Sequence, residues 1–142
     1  MVLLARGAKA RALTKNPVWV RGIDHRIESH HPGLRDLTDL PGLRTAAQKL
    51  AIHAKPIDLA ELSVRYSPEE IVLRDALGLD RKVRVNPSGG PLCGHPVMAT
   101  GLTRVVEAAR RIASGEARRA IAHAASGAAL QQNLLCVLEG GA

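Results

Sequence analysis

The sequence predicts an α/β fold in the order βαβαβαββ, a mixed five-stranded sheet with helices on its faces. Three observations point there. Short β-branched, alternating segments recur between segments of helical period, which implies strands joined through helices and a largely parallel sheet. One helix start is explicit in its chemistry, at Ser67-Pro68-Glu69-Glu70. Residues 85–101 read as a strand end, a glycine-rich turn and a helix start, with one histidine between.

Taken in order, residues 2–4 read as the end of a strand and residues 5–14 as a short Ala/Arg/Lys helix. Residues 17–23 are β-branched, enter at Pro17 and alternate, so a strand is expected. Residues 24–40 are polar and irregular. Residues 41–52 form a helix, with Pro41 near its start and Leu43, Ala46, Ala47 and Leu50 at helical spacing. Residues 56–62 alternate as a strand. The next helix has Ser67 as N-cap, Pro68 at N1 and a glutamate at N3, and stops at Gly78. Residues 82–86 form a short strand. A helix over 97–113 presents Leu102, Val105, Val106, Ala109 and Ile112 as its apolar stripe, with Arg104, Glu107, Arg110 and Arg111 mostly off it. Residues 97–103 are small or apolar all round, which predicts burial on every side. Strands over 119–124 and 133–139 follow, with a turn at 126–132.

At 142 residues and 46% hydrophobic, the chain fits one domain with a genuine core. Trp19 and Tyr66 are its only Trp and Tyr and it has no Phe, so Leu, Val, Ile and Ala must build that core. The formal net charge of +7 is compatible with nucleic acid, an acidic partner or a phosphate-bearing cofactor. The cations are scattered and no aromatics interleave them, which argues against nucleic acid. Cys93 and Cys136 make no disulfide framework. No apolar run reaches the roughly 18 residues of a membrane span, and residues 1–5 are too short for a signal-peptide core. Arg6, Lys9, Arg11, Lys15 and Arg21 without an acid resemble a transit peptide in composition, but a helix with a basic face is preferred. A cytoplasmic, reduced protein is expected. His25, His30 and His31 lie beside Asp24 and Glu28, but their spacing matches no metal motif, so a solvated loop is expected and no metal.

The stretch 85–101 holds Gly89, Gly90, Gly94 and Gly101 with Pro87, Pro91 and Pro96. The glycines permit tight turns and close ligand approach; the prolines restrict the same backbone. His95 precedes a helix N-terminus, where free N–H groups favour developing negative charge. It fits a general-base or oxyanion site; the other reading is an ordinary βα loop with an incidental histidine.

Asn86-Pro87-Ser88-Gly89-Gly90, Gly94-His95-Pro96 and Ala99-Thr100-Gly101 resemble the C-terminal half of thiolases. Ala60-Glu61-Leu62, Glu69-Glu70-Ile71 and Ala76-Leu77-Gly78-Leu79 look like the sterol-carrier-type and actinobacterial lipid-transfer-protein thiolases. Ser126-Gly127, Leu130-Gln131-Gln132-Asn133-Leu134 and Val137-Leu138-Glu139-Gly140 are similar to the actinobacterial branch. The resemblance runs from about residue 2 to 140 and covers only the second half of a thiolase. It implies a thiolase-like C-terminal half-domain over 16–142, with 1–15 as a remnant strand and helix of the preceding N-terminal half.

Thiolases join four active-site loops. The first bears the nucleophilic cysteine and belongs to the N-terminal half. The second holds Asn-Glu-Ala-Phe, or His-Asp-Cys-Phe in sterol-carrier types, and orients a water; here it reads Ser63-Val64-Arg65-Tyr66, with Ser63 as the residue that could hold that water. The third, Gly94-His95-Pro96, is intact, and its histidine would activate the nucleophile and help form an oxyanion hole. The fourth carries an acid/base cysteine in thiolases, but here reads His123-Ala124-Ala125-Ser126-Gly127. Cys93 could compensate, or be a small residue packed behind the loop; Cys136 is core. The resemblance implies that Gly89, Gly90, Gly94, Ser126 and Gly127 line the coenzyme A thioester, which is substrate rather than bound cofactor.

Claisen chemistry needs a nucleophile, a base and two oxyanion sites, so the isolated chain is expected to be inactive. Three readings stand. The chain is an acyltransferase or retro-aldolase subunit on acyl-CoA in lipid or steroid metabolism, completed by an N-terminal-half partner. Or it is a non-catalytic CoA-thioester-binding or interaction module. Or it is a gene remnant, whose uncovered apolar face would drive self-association.

Overall fold

Side-chain alternation on the central strands separates two cores. The computed structural model describes residues 2–141. Its strands are β1 (Val18–Ile27), β2 (Leu59–Glu61), β3 (Arg84–Val85), β4 (Arg119–Ser126) and β5 (Gln132–Gly140). On β4, Ile121 faces one core while Ala120 and Ala122 face the other; on β5, Leu135 and Val137 oppose Cys136 and Leu138 in the same way. The first face is covered by α2 (Pro41–Lys49) and α3 (Ser67–Leu77), through Leu43, Ala46, Ala47, Leu73, Ala76 and Leu77. The second is covered by α5 (Thr100–Ala113), through Ala108 and Ile112. Two short helices, α1 (Gly7–Leu13) and α4 (Gly90–Cys93), complete the set.

The strand order is β1-β5-β4-β2-β3. β2 pairs in parallel with β3 and β4, while β5 pairs antiparallel with β4 and with β1. The expected mixed five-stranded sheet and element order are present. The sheet is less parallel than the alternation of strands and helices suggests. The link from β4 to β5 is too short for a crossover and must return antiparallel.

Several element boundaries differ from expectation, each for a local reason. Residues 2–6 form no strand; β1 is the sheet edge and pairs only with β5. β1 runs through Asp24 to Ile27, because Asp24 is buried on the α2 face and bonded to Lys49 and Arg26 at 2.6 Å each. α3 begins at Ser67 itself, so Tyr66 is the N-cap and Glu69, not Glu70, occupies N3. The Glu69 carboxylate accepts from the backbone N–H of Arg65 (2.6 Å) and of Tyr66 (3.2 Å). α3 ends as expected at Gly78, with φ +58°. The helix expected over 97–113 starts properly only at Thr100, after a single 3₁₀ turn over Val97–Ala99.

The expected stripe of α5 holds in part, since Ile112 is buried and Val105 and Ala109 pack against the second core, but the phase of the helix is rotated toward Arg104. Its buried residues are Thr100, Arg104, Ala108 and Ile112, while Leu102 is exposed. Residues 97–103, expected to be buried on every side, present Val97, Met98 and Leu102 to solvent, Met98 at 95% exposure. Beside α5 the second face of the sheet is open. Val20 and Ile23 pair with Leu138 and Cys136 and so share their face, and Ile27 follows at even spacing. The three are 47%, 56% and 62% exposed.

Candidate active site

In open α/β sheets ligands bind beyond the carboxyl ends of the parallel strands. Here those ends gather Ser63 after β2, the 86–95 loop after β3, and Ser126-Gly127 closing β4. α5 adds its first turn. Gly101 lies so close to β4 that a Cβ there would sit 2.6 Å from the Ala124 side chain. That approach sets the His95 loop beside the end of β4.

His95 is exposed, and its Nδ1 lies 2.6 Å from Oγ1 of the buried Thr100. Nε2 has no protein partner among the described residues, so the ring is held at one nitrogen and free at the other. That arrangement suits proton transfer. Val97, two residues on, has φ +41°. This is a strained conformation for a β-branched residue, of the sort that concentrates at functional loops.

The glycines divide by role. Gly89 (φ +90°) and Gly90 (φ +63°) make the turn itself; a Cβ would sit 2.7 Å from Cys93 Sγ at the first and 2.6 Å from Asn86 Nδ2 at the second. Gly127 (φ +73°) likewise has Gln131 against it. Gly94 differs, with an extended backbone and nothing within 4 Å of where a Cβ would stand. Neither strain nor internal packing requires a glycine there, and the space beside His95 is open. Ser126 Oγ donates to Gln132 Oε1 at 2.8 Å.

Two further candidates lie in different surroundings. Ser63 is buried and its hydroxyl donates to the His123 carbonyl at 2.8 Å, so it is committed internally and does not present itself to a substrate water. Cys93 is exposed at the end of α4 rather than packed behind the loop, with its sulfur over the Gly89 turn. Cys136 lies in the second core, where burial pushes its thiol up to about 11.

Two buried polar groupings beneath the loops were not anticipated. Glu61, fully buried, accepts from Ser88 N (3.2 Å) and Oγ (2.7 Å) and from Arg104 Nη1 (2.6 Å). Near it, Asn86 Oδ1 accepts from Leu62 N at 2.6 Å, and Asn86 N donates to Ala60 O at 2.8 Å. The second grouping is His123, also fully buried. Asn133 Nδ2 donates to Leu130 O, which leaves Asn133 Oδ1 to accept from His123 Nε2 at 3.0 Å. Nδ1 then accepts from Ser63 N at 3.4 Å. Burial lowers the imidazole to about 4, so His123 is neutral at pH 7. The only sequence signal for Arg104 was its i+4 spacing from Thr100.

Of the three histidines expected in a solvated loop, His30 and His31 stand edge to face with ring centroids 6.3 Å apart, and His25 lies on the strand before them. His25 is exposed on β1, and His30 Nδ1 contacts Gln131 Nε2 at 3.0 Å. Among the described residues no group of three or more His, Cys, Asp or Glu could hold a metal ion, and no helix is long and apolar enough to cross a membrane. Concavities of about 700 and 550 Å³ lie at the opposite end of the sheet, around Lys82 and Glu116 and around Lys15 and Arg118. His95 stands on open surface.

This fold is thiolase-like, with the extent of a C-terminal half-domain. It is similar to the Bacillus anthracis acetyl-CoA acetyltransferase, with a TM-score of 0.68 and 20% identity over 87% of this chain and 30% of that one. It is also similar to the human mitochondrial 3-ketoacyl-CoA thiolase, with a TM-score of 0.62 and 21% identity over 86% and 30% of the two chains. In sequence it matches a beta-ketoadipyl-CoA thiolase of Pseudomonas knackmussii, 26% identical over 92 residues, which is 63% of this chain and 23% of the relative. No family model matches the chain. Fold and sequence together support a relationship to the thiolases, of whose length the chain spans less than a third.

Proposed function

We propose that the chain is the C-terminal half-domain of a thiolase-type acyltransferase acting on acyl-CoA thioesters, by 3-oxoacyl thiolysis, condensation or a retro-aldol variant in lipid or steroid metabolism. A protein of N-terminal-half type supplies the nucleophilic cysteine. The observation that carries this reading is His95, held by Thr100 at one nitrogen, free at the other, and facing open space at Gly94. In the assembled site His95 takes the proton from the incoming thiol nucleophile and then donates to the thioester carbonyl as it gains charge. Exposed Val97, Met98 and Leu102 beside it, and Val20, Ile23 and Ile27 on the open sheet face, supply the apolar surface such a partner would cover. Residues 1–15 are read as the tail of the preceding half, residues 16–142 as the domain proper, and the compartment as cytoplasmic. The lipid-transfer-protein branch is the subfamily proposed.

The test is reconstitution with a cysteine-bearing thiolase N-terminal half and an assay of CoA-dependent cleavage of a 3-oxoacyl-CoA. Turnover is expected only from the mixture, and His95→Ala is expected to lower kcat by about 10²–10³-fold. Undiminished turnover in that variant would remove His95 from the mechanism. One observation favours a second reading, a non-catalytic CoA-thioester-binding module: the hydroxyl of Ser63 is used internally, so Ser63 is not free to orient a water. Calorimetry would then register acyl-CoA binding, with no thiolysis when a partner is added.

A further inference from the structure

We infer that Glu61 and Arg104 are positioning residues for His95, joined through Ser88 into a clamp that fixes the first turn of α5 against the 86–90 loop. The inference rests on the reading of His95 as the working base and adds the groups that hold it in place.

Glu61 ends β2, and alternation turns it toward α5 rather than toward the α2–α3 core that receives Leu62. A carboxylate at zero exposure must be paired and hydrogen-bonded. Ser88 and Arg104 do both, and the Arg111 guanidinium stands 4.0 Å from the other oxygen. The Ser88 hydroxyl is saturated: it donates to Glu61 Oε2 and accepts from Arg104 Nη1 (2.8 Å) and Gly90 N (3.2 Å). One carboxylate therefore ties β2, the glycine-rich loop and α5 together.

Arg104 lies one helical turn after Thr100, on the same buried stripe. Thr100 is the residue that holds His95 Nδ1. Fixing Arg104 fixes the rotation of α5, and with it the Thr100 hydroxyl and the imidazole plane. A buried ion pair adds little stability over an apolar replacement of similar volume. Its effect here is on register, at the one turn that bears on the base.

The experiment reads the His95 ring directly, from the imidazole ¹⁵N–¹H correlation spectrum of the full chain. Thr100→Val defines the signal of a ring released at Nδ1. Arg104→Met and Glu61→Gln are expected to shift His95 toward that signal while cooperative unfolding is retained, and Arg104→Lys to restore it in part. If the first two fail to fold, Ser88→Ala removes the shared hydroxyl and leaves the ion pair, and is expected to give a partial shift. Folded variants whose His95 signal matches the unaltered chain would overturn the proposal. In the reconstituted assembly the same variants are expected to lower kcat by about 10- to 100-fold with KM unchanged. Absence of turnover in the unaltered assembly would defeat the acyltransferase reading alone, and the spectra would still decide the positioning.

Discussion

His123 is the residue whose environment has the clearest measurable consequence. Folding places it in the interior, neutral, between Ser63 and Asn133, with its imidazole lowered from 6.5 to about 4 mainly by burial. Between those values the unfolded chain binds a proton that the folded chain does not. The stabilisation is complete above pH 6.5 and is lost as pH falls toward 4, amounting to about 3 kcal/mol over that range. Denaturant titrations at pH 7, 5.5 and 4.5 are expected to show that decline, and His123→Gln to flatten it. The cysteines give a second residue-scale outcome. Exposed Cys93 is expected to react with a thiol reagent in the native protein at pH 8, whereas Cys136, buried and raised to about 11, reacts only on unfolding. Two thiols labelled at equal rates would contradict this core.

At the scale of elements, α3 and β5 show which features organise the first core. Glu69 closes two orphan N–H groups at the start of α3 and pairs with the Arg65 guanidinium at 3.3 Å. Glu69→Ala is expected to destabilise by about 1 kcal/mol, since two backbone donors lose their acceptor. Leu135, fully buried on β5 beneath α2 and α3, is expected to cost about 2–5 kcal/mol when truncated to alanine. Equilibrium unfolding checks both. A Leu135→Ala cost below 1 kcal/mol would mean that the core around β5 is looser than described. The capping logic at 67–70 was readable from the sequence. The exact start was not, because Ser67 and Tyr66 both allow an N-cap backbone, and the Glu69 carboxylate decides between them.

The whole molecule is a sheet finished on one face and part-finished on the other. α2 and α3 close the first core, whereas on the second face α5 leaves Val20, Ile23 and Ile27 exposed. Exposed apolar groups at Leu92, Val97, Met98 and Leu102 lie around the loop that bears His95. In the absence of a partner this surface is expected to bind an apolar dye and to drive concentration-dependent association. Ile23→Lys, on the exposed face of an edge strand, is expected to lower that association in sedimentation while changing folding stability by no more than about 0.5 kcal/mol. Unchanged association would place the sticky surface elsewhere.

The amino-acid sequence by itself determined the element order, the strand alternation, the stop at Gly78 and the glycine-rich loop with His95. Each of these depends on neighbours in the chain: period, capping chemistry and left-handed glycines. The partner of His95, the commitment of Ser63, the phase of α5 and the clamp at Glu61 came only with the tertiary structure. Arg104 shows why. A helical wheel assigns it to the polar side, but a carboxylate 43 positions earlier in the chain waits at the sheet, and pairing with it turns the helix away from Leu102. A polar contact between distant elements leaves no periodic trace in either, so the register of the candidate site was settled by folding and not by local pattern.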